Sequence, residues 1–250
     1  MTTNEITNNT QPKNSLTSLF FISLWLIALL ILTPMMLSIF FDAYFGIQQG
    51  DNYSPDAFYD WVNSIPVLLK LSLMASLINI YILVKATHEN NWTKRLDYWA
   101  VHSVNRQELV KWLAVVLIFL CVSTLLGVVL NLPIENFMLD VQAANDSLAM
   151  LLLIIVTVSI VIPIMEELIF RGWLYSKIKQ TNLGDIGALV ITTFVFTAIH
   201  AQYDNLNTLI YIFSLGLLLG FIRYKTDNTS NTVVIHIFLN SLVLIELFYF

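Results

Sequence analysis

Residues 148–179, LAMLLLIIVTVSIVIPIMEELIFRGWLYSKIK, contain the pattern that decides the fold. The first part is almost entirely apolar, and its length is close to the roughly 20 residues needed to cross a hydrocarbon core of about 30 Å. Two adjacent carboxylates, Glu166 and Glu167, follow, and Arg171 comes four residues after the second. An ionisable group inside a bilayer costs about 2.5–3.5 kcal/mol on insertion scales. Such a group is therefore expected to have a partner or a function.

The spacing of these charges assigns them different roles. Glu167 and Arg171 are four residues apart, so they lie on one face of a helix and can form a charge-assisted pair. Glu166 points about 100° away from Glu167 and is free for another role. Pro163 has no amide hydrogen and predicts a kink just before the carboxylates. A simpler explanation stays open, in which these charges only mark the cytoplasmic end of a span.

The whole chain has the composition of an integral membrane protein. Of its 250 residues, 57% are hydrophobic and 12% are charged, against roughly 25% charged residues in an ordinary soluble domain. The net charge of −5 provides no basic surface for nucleic acid. The single cysteine excludes an intrachain disulfide framework.

Apolar windows predict an all-α fold, a polytopic transmembrane helical bundle of about seven spans. The fifth and sixth spans are short. The predicted spans lie near 18–41, 62–85, 112–132, 148–167, 186–200, 207–222 and 231–250.

The basic residues predict the orientation, because cytoplasmic loops retain Lys and Arg. All but one of the 12 basic residues lie on one side of an alternating topology, with the N-terminus in the cytoplasm and Phe250 outside. The loops on the other side carry acidic residues such as Glu135, Asp140 and Asp204. The exception, Lys70, lies within the second span and is expected either to pair with Glu246 or to extend separately to the interface.

The largest basic segment, 86–111, mixes Trp92, Trp99 and other apolar residues with charges. This mixture is typical of an amphipathic stretch at the membrane surface. We expect it to be an anchor at the level of the headgroups, with a substrate-docking surface as the alternative.

Two further polar pairs occupy later apolar segments. Phe196 and His200 are four residues apart in the predicted fifth span, and His236 and Asn240 in the seventh. Alone, an intramembrane His or Asn usually links helices by hydrogen bonds. Together with the carboxylates, these pairs supply a base, two imidazoles and an amide, the groups needed to hydrolyse an amide bond.

In their order and spacing, these motifs resemble those of the CPBP family of intramembrane proteases, also called the Abi or CAAX protease and bacteriocin-processing family. The family includes the type 2 CAAX prenyl endopeptidases. Its motifs are EExxxR, FxxxH and HxxxN, and here they are EELIFR at 166–171, FTAIH at 196–200 and HIFLN at 236–240. The resemblance covers about residues 148–245.

The resemblance implies an intramembrane protease that hydrolyses a peptide bond of a membrane-associated protein or peptide. Glu166 would activate water and His200 would help to hold it. His236 and Asn240 would donate hydrogen bonds to the oxyanion.

The same resemblance implies an orienting role for Glu167 and Arg171, with Phe196 beside them. The cavity of the active site would lie between the fourth, fifth and seventh spans. The chain would consist of a disordered cytoplasmic leader (1–17), N-terminal transmembrane spans (18–147) and a catalytic transmembrane core (148–250).

The three site residues Glu166, His200 and His236 could also supply one carboxylate and two imidazoles to a catalytic zinc ion. The sequence has no HExxH motif to decide the question. We expect no cofactor, with zinc as the open alternative. The expected partners are the lipid bilayer and the substrate, and the expected location is the cell membrane.

A second class of function is a non-catalytic membrane scaffold or a transporter, with an immunity or partner-binding role, that retains the polar pocket. The absence of an internal sequence repeat argues against a transporter.

The depths of the site residues add a structural prediction. His200 lies deep in its span, whereas Glu166 lies near the end of the predicted fourth span. A helix that continues through 166–178 would bring Glu166 to the level of His200. We therefore expect that continuation, and a cavity that opens on the cytoplasmic side.

Overall fold

The computed structural model describes residues 15–201, 203 and 205–249. Every regular element within them is helical, and the predicted all-α polytopic bundle is confirmed. Residues 1–14 of the predicted leader lie outside the described residues, as do Asp204 and Phe250. In chain order the α-helices are α1 (Ser15–Ile27), α2 (Thr33–Gln49), α3 (Pro55–Val62), α4 (Ile65–Thr87), α5 (Trp92–Tyr98), α6 (Arg106–Val129), α7 (Asn136–Ala143), α8 (Leu148–Ile154), α9 (Ile162–Glu167), α10 (Tyr175–Lys179), α11 (Gly184–Ala198), α12 (Leu206–Thr226) and α13 (Thr229–Tyr249).

Six continuous helices in the described part are long and apolar enough to cross a membrane, which makes the chain a multi-pass integral membrane protein. The predicted fifth span is the shorter apolar helix α11. The six long helices are Thr17–Asn52, Ile65–Thr87, Arg106–Val129, Leu148–Lys179, Leu206–Thr226 and Thr229–Tyr249.

Wide π-helical turns allow two of these helices to pass a proline. The segments Ala28–Leu32 and Ile155–Val161 each end two residues before a proline, Pro34 and Pro163. A proline lacks the amide hydrogen, and its ring clashes with the carbonyl group four residues earlier. A wider turn relieves this clash without breaking the helix. The helix Leu148–Lys179 is therefore continuous past Glu166, as predicted.

Apolar side chains lie on the outside of the bundle as well as in its core. In α6, Val116 is the one buried residue, while Ile118, Leu125 and Val128 are each more than 60% exposed. Such an exposed apolar surface suits contact with lipid. The predicted partners Lys70 and Glu246 are both exposed and form no ion pair within the described residues.

The two ends of the bundle differ in chemistry. At one end, called here the basic end, Lys179 pairs with Asp185 at 3.2 Å and with Asp227 at 3.3 Å. These pairs join the C-terminal ends of α10 and α12 to the start of α11. At the other, acidic end, α7 contacts the end of α13, because Gln142 Nε2 donates a hydrogen bond to the carbonyl oxygen of Leu247.

Part of the segment predicted to anchor at the surface belongs to the core instead. Trp92 is exposed, but Trp99 is only 1% exposed, and its Nε1 donates a hydrogen bond to Thr87 Oγ1 at 2.8 Å. Thr229, the first residue of α13, donates from its hydroxyl to the Trp99 carbonyl oxygen at 2.6 Å. The prediction of a surface anchor is therefore wrong for Trp99, which packs in the core near the basic end.

Gly172 makes this packing possible. A Cβ atom at Gly172 would lie 3.3 Å from Trp99 Cβ and 3.4 Å from the Trp99 carbonyl oxygen, both held in a buried position. Gly127, within α6, has no atom within 4 Å of such a position. The glycine that follows the EELIFR motif thus has a packing role.

We expect Gly172→Ala to destabilise the protein by about 1–3 kcal/mol, the usual cost of overpacking. Gly127→Ala is the control, since it adds the same methyl group to a membrane helix at a position with no atom within 4 Å. The measurement is the melting temperature of each variant in detergent. Equal melting temperatures of the two variants would contradict the role assigned to Gly172.

Candidate active site

The three motifs meet at one cavity of about 550 Å³. Glu166 is in α9, Phe196 in α11, His200 in the turn after α11, and His236 with Asn240 in α13. All of these line the cavity. The predicted location between the fourth, fifth and seventh spans matches this arrangement, and α4, α7 and α12 supply additional walls.

The short length of α11 brings His200 to the level of Glu166. Lys179 and Asp185 are ion-paired at the basic end, so depths can be measured from there. At 1.5 Å per residue, Glu166 lies about 20 Å from that end and His200 about 22 Å. His200 Nε2 is 3.8 Å from Glu166 Oε1.

Glu167 lies behind this site and is fully buried. Its Oε1 accepts a hydrogen bond from Arg171 Nη1 at 3.0 Å and contacts His236 Nδ1 at 2.9 Å. The spacing of the EExxxR motif therefore forms the ion pair that it predicts. It also connects the pair to the histidine of the third motif, which sequence spacing alone does not predict.

Arg171 is also fully buried and is held from several sides. Its Nη2 donates to the Gly216 carbonyl oxygen at 3.1 Å, and its guanidinium carbon lies 4.5 Å from the centre of the Phe196 ring. Arg223 Nε donates to the carbonyl oxygen of Arg171 at 3.0 Å. Phe196 thus provides an aromatic face for the cation, and such a contact is attractive where both groups are buried.

The hydrogen bonds of the two imidazoles define their tautomers. His236 Nδ1 faces the carboxylate of Glu167, and His200 Nδ1 faces the carbonyl oxygen of Phe196 at 2.7 Å. Both oxygens accept hydrogen bonds only, so each Nδ1 carries the hydrogen. In the neutral ring, Nε2 then presents a lone pair.

Both Nε2 atoms point towards Glu166, each 3.8 Å from one of its carboxylate oxygens. This distance is too long for a direct hydrogen bond. Two atoms 3.8 Å apart can, however, both contact one water molecule at ordinary hydrogen-bond lengths. The three acceptors therefore surround a space that suits a donor such as water.

Asn240 lies beside this space. Its Nδ2 donates one hydrogen bond to the Val158 carbonyl oxygen at 3.0 Å. An amide group carries two N–H donors, so the second is available to a group in the cavity.

The same residues do not form a metal centre as they stand. No group of three or more His, Cys, Asp and Glu side chains in the described ranges is arranged to hold a metal ion. The donors Glu166, His200 and His236 match zinc in type, but their placement does not.

The cavity extends from the motif residues towards the acidic end. Its other walls include Asn63 and Ile65 at the start of α4, Glu135 and Phe137 near α7, and Tyr203. The prediction was a cavity that opens towards the basic loops, whereas its lining residues place it towards the acidic end. The core near the basic end contains the large buried side chains Trp99, Phe170, Trp173 and Tyr175. A separate pocket at that end, lined by Trp25, His88 and Lys177, includes none of the motif residues.

Two cavity residues were not singled out by the sequence. Tyr203 stacks on His200 with 6.1 Å between ring centres, and burial together with the nearby charges of Glu166 and Glu135 raises the pKa of Tyr203 to about 12. In the sequence, Glu135 is one of the acidic loop residues that indicate the orientation of the chain in the membrane. Neither lies in a periodic pattern that connects it to the motifs.

Comparisons with known proteins point to the same part of the chain. A family model described as type II CAAX prenyl endopeptidase, Rce1-like, matches residues 148–242. An uncharacterized 24.3 kDa protein of Escherichia coli is 35% identical over 114 residues, which are 45% of this chain and 52% of the relative. The chain thus spans about half the length of this curated relative. No solved structure matches the chain.

The family match includes all three motifs and ends two residues after Asn240. It agrees with the resemblance inferred from the motifs alone. Over residues 148–242, the chain is similar to the Rce1-like family of type II CAAX prenyl endopeptidases.

Proposed function

We propose that the protein is an intramembrane endopeptidase of the cell membrane that hydrolyses a peptide bond in a membrane-associated protein or peptide. The observation that carries the proposal is the convergence of Glu166, His200 Nε2 and His236 Nε2 on one space inside a largely apolar cavity. An apolar cavity accepts a hydrophobic peptide segment, and the three polar groups supply the chemistry at one point along it.

The attacking group is a water molecule held between Glu166 and His200. Glu166 takes one proton from this water as the water oxygen bonds to the carbonyl carbon of the substrate. A carboxylate in this position acts as a general base, and such proton transfer typically contributes 10²–10⁴-fold to the rate. The electron pair of the carbonyl double bond moves to the oxygen and forms an oxyanion.

His236 and Asn240 face the developing oxyanion. Asn240 donates through its second N–H. His236 donates from Nε2 when its ring carries both protons, and the carboxylate of Glu167 at Nδ1 stabilises that charged ring. Removing one such donor from an oxyanion site typically costs about 2.7–4 kcal/mol.

The reaction is completed when Glu166 returns its proton to the amide nitrogen. The carbon–nitrogen bond breaks, the oxyanion electrons re-form the carbonyl group, and the products are an acid and an amine. Glu167 and Arg171 take no proton in this scheme. They position His236, and through Phe196 they support α11, which leads into the turn that holds His200.

Glu166→Gln is expected to reduce cleavage of a membrane-anchored fluorogenic peptide by at least about 10²-fold, because Gln keeps the shape but cannot accept the proton. Cleavage is measured in proteoliposomes with purified protein. The matched control is Glu246→Gln, another glutamate in a membrane helix, which does not line the cavity. Equal cleavage by wild type and Glu166→Gln would reject the proposed function.

Glu167→Gln should have a different phenotype from Glu166→Gln. It leaves the buried Arg171 without its counter-charge, and breaking a buried pair in this way costs about 3–5 kcal/mol. We expect a large fall in the melting temperature together with the loss of cleavage, whereas Glu166→Gln should retain the melting temperature of wild type. A wild-type melting temperature for Glu167→Gln would contradict its positioning role.

The proposed reaction needs no metal ion. Cleavage should therefore persist after treatment with a strong zinc chelator, and elemental analysis of active protein should find far less than one zinc per chain. Stoichiometric zinc that is lost together with activity, and restored together with it, would favour the zinc alternative.

A further inference from the structure

Glu135 is a buried carboxylate in the same cavity, and the proposed reaction does not use it. It is 8% exposed, and its Oε1 has no hydrogen-bond partner. It forms no ion pair with any Lys, Arg or His in the described part of the chain. The side chain lines the cavity at the end opposite to the packed basic end.

The local backbone does not explain this burial. Glu135 directly precedes α7, where a carboxylate often caps a helix, but its side chain makes no capping hydrogen bond. Only its backbone carbonyl oxygen takes part, accepting from the amide groups of Met138 and Leu139. The carboxylate is therefore available to the cavity instead of to its own helix.

A carboxylate in this position is costly unless something binds to it. Burying an ionised group without a partner is strongly unfavourable, and a buried acceptor that lacks a hydrogen bond is destabilising, more so when it is charged. A donor brought by a ligand would remove this cost.

The charge of the cavity indicates what kind of hydrogen-bond donor a ligand would bring to Glu135. Two carboxylates, Glu135 and Glu166, line the cavity, and no Lys or Arg is among the lining residues. Tyr203 also lines the cavity, and its pKa is raised by burial and by the charges of both carboxylates. The cavity is therefore negative at two points, one at the proposed reaction site and one at its acidic mouth, and a group with a positive charge is favoured at the second.

We propose that Glu135 binds a cationic side chain, Lys or Arg, of the peptide substrate and so determines specificity. This inference rests on the proposed function, because it assumes that a peptide occupies the cavity. The cation forms a charge-assisted hydrogen bond with the carboxylate of Glu135, while the adjoining peptide lies along the apolar wall towards Glu166. Glu135 touches the substrate at a distance from the reacting bond.

The test uses binding, so it does not depend on turnover. Hydrophobic host peptides are prepared in which one residue at a time is Lys or its neutral analogue norleucine. Their dissociation constants for full-length Glu166→Gln are measured in detergent micelles. At the favoured position, Lys should bind at least about tenfold more tightly than norleucine, since a hydrogen bond to a charged group contributes about 1.5–3 kcal/mol.

Adding Glu135→Gln to Glu166→Gln should abolish this preference and leave norleucine peptides bound as before. Asp140→Asn, on the exposed side of α7, is the matched control and should retain the preference. Equal affinity for Lys and norleucine peptides, no binding of either, or a preference that survives Glu135→Gln would overturn the inference. If Glu166→Gln shows the preference for Lys while the wild-type protein cleaves none of these peptides, the result counts only against the proposed function.

Discussion

One carboxylate oxygen, Glu167 Oε1, holds the centre of this bundle together. Arg171 donates to it from the same helix and His236 contacts it from α13. Through Arg171, the interaction reaches the Gly216 carbonyl oxygen in α12 and the Phe196 ring in α11. All of these groups are buried, and charges removed from water interact strongly with one another. The relative positions of four helices therefore depend on this single atom and its partners.

This arrangement explains why two glutamates stand side by side. Adjacent residues of a helix face different directions, so Glu167 faces the packed interior while Glu166, 16% exposed, faces the cavity. Oε1 of Glu167 is held by both Arg171 and His236. Glu166 has both imidazoles 3.8 Å away and no direct hydrogen bond to either. A rotation of about 100° around the helix axis thus separates the carboxylate of the buried ion pair from the one that faces the cavity.

The sequence predicted the parts of the site that depend on spacing along one helix. The pair Glu167–Arg171 and the continuation of the helix past Glu166 both follow from local geometry. The link between Glu167 and His236 joins residues 69 positions apart, and no periodicity encodes it. The burial of Trp99 also depends on a residue distant in the sequence. The composition of segment 86–111 is typical of the membrane interface, and Trp99 is buried because Gly172, on another helix, leaves space for it.

The side on which the cavity opens follows from how the two ends are filled. At the basic end, several cations have an acidic or aromatic neighbour, as Lys179 has Asp185 and Arg223 has Asp227 and Tyr175. Such pairs connect the ends of α10, α11 and α12 near the buried side chains of Trp99 and Trp173. At the acidic end, Glu135 has no such partner, and the start of α4 and α7 leave space between them. If the basic loops retain their end in the cytoplasm, a substrate reaches Glu166 from the opposite side of the membrane. The end of the bundle that carries the paired basic residues is thus the end away from the motif cavity.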